Sequence, residues 1–288
     1  FGIDVRYVDI TSQDCVEKNI DEKTRIIFFE TISNPELIIP DIKGLSQIAK
    51  KHDIVLIADT TMTPFYLFDS KKYGIDIDLL SATKYISGGG TVVGGLIIDN
   101  GTFEWSKYPH LNKFYDKFGQ NAFISKLKKQ TFRNIGSSLS PQSAYMLSLG
   151  LETLALRADR TNENIRELSY FLYEHKKVKS VNYPLLKDSP YYELAKEYFL
   201  FPGSILTFDL EDKTQAYALM DRLKLVKRST NIQDNKSLII APYHTIYSEY
   251  STEQKQSFGL REGTLRLSVG IEDISDLIED LTNALKEI

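Results

Sequence analysis

At 288 residues, with 42% hydrophobic and 26% charged positions, the chain is long enough for two domains with separate cores and has an ordinary globular composition. A formal net charge of −4 gives no basic field for gripping a phosphate backbone, which argues against nucleic acid as a partner. No apolar run approaches the roughly 20 residues that span a bilayer, so no membrane partner is expected. The single cysteine, Cys15, excludes an internal disulfide and fits a cytoplasmic setting.

In chain order, Ile3–Val8 reads as a strand and Ser12–Ile20 as a helix. The chain begins on Phe1 and enters that strand directly, as a piece of a longer protein would. Arg25–Glu30 is a short buried strand-like run. Asp41 then caps a helix whose apolar residues Ile42, Leu45, Ile48 and Ala49 follow the 3–4 spacing of an amphipathic face. Ile54–Ala58, Asp78–Ser81 and Val92–Ile98 are further near-continuous apolar runs. Such strands, separated by helices, predict an α/β unit whose mostly parallel sheet is covered on both faces.

The second half changes character. Pro141 opens a helical stretch running to Glu174, followed by strand-like Lys179–Asn182, Ser204–Leu210, Ser237–Ile240 and Thr264–Val269, and a closing helix over Asp273–Lys286. Without strict βαβ alternation this predicts a smaller α+β domain. The expected division is residues 1–155 and 156–288.

Two segments carry chemistry: Ala58-Asp59-Thr60-Thr61 at the end of one strand, and Ser81-Ala82-Thr83-Lys84-Tyr85-Ile86-Ser87-Gly88-Gly89-Gly90 after another. In an open parallel sheet both face the crevice at the strands' carboxyl ends. Lys84 supplies an amine able to form a Schiff base, and Asp59 a carboxylate able to keep a pyridine nitrogen protonated. Strand alternation would place Thr61 on the side of Asp59, beneath the ring, while Ser81 and Thr83 offer hydroxyls to a phosphate. Singly these features are commonplace: a strand-end Asp usually serves a turn, and Gly88–Gly90 alone would read as a flexible turn. A nucleotide P-loop is excluded, because it needs its glycines ahead of the lysine rather than behind it.

Together with Glu30–Pro35 (ETISNP), Leu139–Arg160 (LSPQSAYMLSLGLETLALRADR) and Leu265–Asp273 (LRLSVGIED), these segments resemble the cystathionine/methionine-metabolism family of pyridoxal-phosphate enzymes, in order along the chain. The resemblance implies a fold-type-I, aspartate-aminotransferase-like domain and pyridoxal 5'-phosphate bound covalently to Lys84, which then moves protons. It implies that Asp59 partners the pyridine nitrogen, that Ser81 and Thr83 contact the phosphate, and that Asn34 lies near the cofactor's phenolic oxygen. Arg266 corresponds to the arginine that binds the substrate α-carboxylate. Family members work as homodimers or homotetramers and carry a further N-terminal region with a ring-stacking tyrosine, a phosphate loop and an arm reaching a neighbour's phosphate.

Phe103–Leu111, Ala122–Gly136, Ser189–Phe199 and Asn235–Pro242 most resemble O-acetylhomoserine sulfhydrylases. That implies γ-replacement on O-acetylhomoserine by sulfide or a thiol, giving homocysteine or methionine and acetate. Methionine γ-lyase and cystathionine γ-synthase or lyase are alternatives, as is a catalytically silent or partner-completed subunit. The chain departs from the family pattern at Pro242–Tyr247 (PYHTIY), beside the expected substrate carboxylate, at Thr60, and in a shorter Trp105–Ala122 segment.

Overall fold

The computed structural model describes residues 2–288. The first sheet has strands β1 (Ile26–Glu30), β2 (Val55–Asp59), β3 (Ile77–Ser81) and β4 (Gly95–Asp99) in that spatial order. β1, β2 and β3 run parallel, and β4 is antiparallel to β3. The three parallel strands therefore end along one edge, where Asn34, Asp59–Thr61 and Ser81 follow. Short bonds hold that edge together: Thr31 N donates to Asp59 O (3.0 Å), Thr60 N to Leu79 O (2.8 Å), and Ser81 N to Thr61 Oγ1 (2.8 Å).

Three expectations change. Residues 2–9 form no strand; Ile3, Val5 and Tyr7 are exposed, Tyr7 at 95%, and no described strand lies beside them to complete a ladder. The strand expected from Val92 begins only at Gly95. Nor is the sheet fully covered on both faces. Ile27 and Phe29 of β1 are buried, whereas Phe28, on the opposite side, is 57% exposed, as Ile26 also largely is. An apolar run is blind to this difference, since adjacent side chains point to opposite faces whether or not each is covered.

The buried face packs on the Ile42–Lys51 helix, whose Asp41 cap accepts from Gly44 N at 3.1 Å. Over the opposite face, helical turns between Trp105 and Ile135 bring Trp105 onto Phe123 (4.8 Å, stacked) beside Val55 and Ile77. The long helical stretch is two helices, Pro141–Glu152 and Leu154–Tyr173, broken at Thr153.

The second sheet has the order β5 (Ser180–Asn182), β6 (Ile205–Asp209), β9 (Thr264–Ser268), β8 (Leu238–Ile240), β7 (Lys227–Arg228). Only β7, two residues long, has no counterpart in the sequence reading. One face carries Leu206, Phe208, Leu265, Leu267 and Ile239 into a core closed by the Leu154–Tyr173 and Ile274–Lys286 helices. The first core also takes in Ala195, Tyr198, Phe199, Ile205 and Ile232 from the second half, so the two halves share packing. No described helix is long and apolar enough to cross a membrane.

Gly150 lies where the Pro141–Glu152 helix meets the Lys84 loop, and a Cβ there would sit 2.1 Å from Ile86 O. Gly150→Ala is expected to cost about 1–3 kcal/mol of stability through overpacking, measured by urea unfolding.

Candidate active site

Lys84 sits one turn beyond β3. Its loop is a compact unit: Lys84 N donates to Ser81 O (3.3 Å), Ser87 N to Ala82 O (2.9 Å) and Gly88 N to Lys84 O (3.0 Å). From outside, buried Arg157 of the Leu154–Tyr173 helix donates to Tyr85 O and Gly150 O (2.7 Å each), to Ile86 O (3.4 Å), and to Thr153 Oγ1 (3.1 Å). The glycines after the lysine are packed rather than loose. A Cβ on Gly88 would lie 2.8 Å from the Arg157 guanidinium, and one on Gly90 would lie 3.1 Å from the Asn231 amide. Both glycines also hold positive φ, 77° and 60°.

The Lys84 amine donates to Asn231 Oδ1 at 2.5 Å, and Asn231 Nδ2 donates to Asp234 at 2.9 Å. Burial lowers the Lys84 pKa from its usual value, and the positive charge of Arg266 lowers it further; Asp234 opposes both. Arg266 lies on β9, the central strand of the second sheet, and is 2% exposed. Its guanidinium donates to Asn34 Oδ1 (3.1 Å), Thr230 O (2.8 Å) and Asn231 O (3.3 Å), while buried Nε has no partner. Burial pulls its pKa down to about 10, still high enough to keep the group cationic near neutral pH.

Among the described residues Arg266 has no carboxylate partner and Asp59 has no cationic one. Asp59 Oδ1 accepts from Thr61 N (2.8 Å), so Thr61 follows through a turn; β2 ends at Asp59 and strand alternation does not extend to it. The Thr61 hydroxyl accepts from Ser81 N, and the Thr83 hydroxyl accepts from Gly94 N (3.1 Å). Glu30 stands in register with Asp59; desolvation by the surrounding protein and the Asp59 charge raise its pKa to about 7.

Asn34, Lys84 and Arg266 thus meet through one short network, although 232 positions separate Asn34 from Arg266. The residues absent from the sequence reading are Asn231, which accepts from the lysine, Asp234, which accepts from Asn231, and Arg157, which sets the lysine's loop. A half-buried lysine and a buried arginine both needing acceptors would have pointed to a polar turn after β7, but no spacing rule locates it. The unusual Pro242–Tyr247 segment packs beside Asn34: the Tyr247 hydroxyl lies 3.5 Å from Asn34 O, and its ring sits 5.3 Å from Tyr250 and 5.5 Å from Phe258.

A desolvated lysine at the carboxyl edge of a parallel sheet, an unpaired carboxylate on the neighbouring strand and a buried arginine lacking a counter-ion fit pyridoxal phosphate and an amino acid. These are the features of a fold-type-I pyridoxal-phosphate enzyme. Residues 1–286 match the family of Cys/Met metabolism PLP-dependent enzymes, and the chain belongs to that family. It is 37% identical to the O-acetyl-L-homoserine sulfhydrylase of Leptospira meyeri, covering 100% of this chain and 70% of the relative. The structure of the Wolinella succinogenes O-acetylhomoserine sulfhydrylase superposes with a TM-score of 0.91 at 50% identity, over 99% of this chain and 78% of that one. A Campylobacter jejuni structure carrying N'-pyridoxyl-lysine-5'-monophosphate superposes at 0.92 and 38% identity, over 99% and 72% of the two chains.

Replacing Arg266 with Gln removes a positive charge near Lys84 and so favours its ammonium form. Acylation of Lys84 in the cofactor-free protein, followed by mass spectrometry across pH, is expected to shift to higher pH in Arg266→Gln; an unmoved profile would assign the lowered pKa to burial alone.

Proposed function

We propose that the protein catalyses γ-replacement on O-acetylhomoserine, with sulfide or a thiol as acceptor, releasing acetate and forming homocysteine or methionine. The observation that carries this reading is a buried Arg266 with no protein carboxylate, joined through Asn231 to a desolvated Lys84. An α-amino acid matches that pair, because its carboxylate suits a guanidinium while its α-carbon hydrogen lies within reach of an amine. The sulfhydrylase relatives support the choice of leaving group and acceptor over the methionine γ-lyase alternative.

In this reading Lys84 would hold the cofactor covalently through its side-chain amine. Asp59 would keep the ring nitrogen protonated, Thr61 would stand beside the ring, and Ser81 and Thr83 would hold the phosphate. When bound, pyridoxal phosphate supplies an electron sink for the negative charge created at the substrate's α-carbon. Arg266 would fix the α-carboxylate, with Asn34 holding one guanidinium nitrogen and serving the cofactor's phenolic oxygen. The Lys84 amine, its pKa lowered, would take the α-proton and, after passing it on, a β-proton, so that the γ-carbon–oxygen bond breaks with its electron pair leaving on acetate. Sulfide or a thiolate would then bond to the γ-carbon through sulfur, and Lys84 would return one proton to the β-carbon and one to the α-carbon, restoring the two removed.

The same reading assigns residues 1–155 to the cofactor-binding unit and 156–288 to a smaller α+β unit, a division supported by the helix break at Thr153 and the separate second sheet. It also takes the protein to be a homodimer or homotetramer. Exposed Leu139, Tyr145, Leu149 and Leu151 support such association.

The cofactor-loaded protein is expected to lose its visible absorbance band and all turnover in Lys84→Ala. O-acetylhomoserine with sulfide should yield homocysteine and acetate; α-ketobutyrate from methionine, without homocysteine synthesis, would instead establish a lyase. Arg266→Lys, which cannot form the bidentate pair, should raise the amino-acid KM by roughly 10- to 100-fold, measured by steady-state kinetics.

A further inference from the structure

Gln233 is 1% exposed and holds φ at 52°, in the left-handed region where side chains other than glycine are strained. It lies in the turn that serves both basic residues of the site. Thr230 O and Asn231 O receive Arg266, Asn231 Oδ1 receives Lys84, and Asp234 receives the Asn231 amide. Glycine would meet the backbone requirement without strain, so the glutamine side chain needs its own explanation.

Its contacts supply one. Gln233 Nε2 donates to Met62 O at 2.7 Å, and Gln233 N donates to Ser268 Oγ at 2.7 Å. Met62 is three residues beyond Asp59, and Ser268 is two residues beyond Arg266. The residue therefore ties the turn to the strand-end segment carrying the expected ring carboxylate, and to the strand carrying the arginine. Gly203 leaves room for this tie: a Cβ there would stand 2.9 Å from Met62 O and 3.1 Å from Gln233 Nε2. The arrangement persists although Gln233 Oε1 is buried without a partner, an unfavourable feature that space filling alone would avoid with an apolar side chain.

We propose that Gln233 is a positioning residue for amino-acid binding, clamping the 230–234 turn to Met62 and Ser268 so that Arg266 and Lys84 are held at one fixed separation. The proposal rests on the functional reading above, because it presumes that Arg266 receives the substrate carboxylate. Gln233→Gly keeps the left-handed backbone and its N–H bond to Ser268, and removes the side-chain bond to Met62. Gln233→Met keeps side-chain bulk and removes the amide.

The full, cofactor-loaded protein is titrated with glycine, an α-amino acid with no γ-carbon to react, following the visible spectrum, and the thermal unfolding of the cofactor-free forms is recorded alongside. Both variants are expected to bind glycine about tenfold more weakly, equivalent to one lost hydrogen bond. Gln233→Gly should unfold close to the parent, since relieved strain offsets the lost bond. With O-acetylhomoserine, KM should rise more than kcat falls. Parental glycine affinity in Gln233→Gly, with weaker binding in Arg266→Gln, would overturn the clamp and leave the functional reading intact. Equal affinity in the parent and Arg266→Gln would remove the functional reading, and the clamp with it.

Discussion

A positive charge fixed in the middle of a sheet dictates much of the surrounding geometry. Arg266 lies on the central strand of the second sheet, almost wholly screened from water, and burying an unpaired cation is costly unless other groups replace its hydration. Here the replacement is partial: an amide oxygen from Asn34 and two backbone carbonyls from residues 230 and 231, with Nε left unmatched. The first requires the turn after β1 to reach the second sheet; the others require the 230–234 turn to fold beneath it. The same charge lies near enough to depress the Lys84 pKa. Structural cost and chemical function are therefore the same interaction, since what would complete the shell of Arg266 is an anion.

Arg157 treats the opposite side of the lysine loop in a related way, with a different outcome. Its buried guanidinium is satisfied by the Tyr85, Ile86 and Gly150 carbonyls and the Thr153 hydroxyl, which leaves little capacity for a ligand. Arg157 is thus a brace, whereas Arg266 remains receptive. Between them the Ser81–Gly90 loop is confined from two directions, and the glycines at 88 and 90 provide the close approach this requires.

Much of this was legible along the chain because it depends on local pattern. The apolar runs of β1, β2, β3, β6, β8 and β9 and the spacing of Ile42, Leu45, Ile48 and Ala49 carry strand and helix periodicity directly. The positions of Asp59, Ser81, Thr83 and Lys84 at strand ends follow from the edge rule for parallel sheets. The open side of β1 was not legible, since Ile26 and Phe28 have the side chains of a covered strand and their exposure depends on what packs over them. The break at Thr153 was hidden for a similar reason: the apolar periodicity continues through it, and the interruption is a matter of backbone geometry.

The carboxyl-edge lysine and the strand-end aspartate were legible in the sequence alone, because each is a residue type at a recognisable place in a local element, and the strand-borne arginine was reached through the resemblance of its segment to a family. The tertiary structure decided how they are joined. Asn34 reaches Arg266 across 232 positions, Asn231 reaches Lys84 across 147, and Gln233 reaches Met62 across 171. No periodicity encodes such contacts. They arise when two cores close on one another and polar groups brought inside must find partners, and this is why a lysine recognisable at once in the sequence became a site only after folding placed an arginine, an asparagine and a strained glutamine around it.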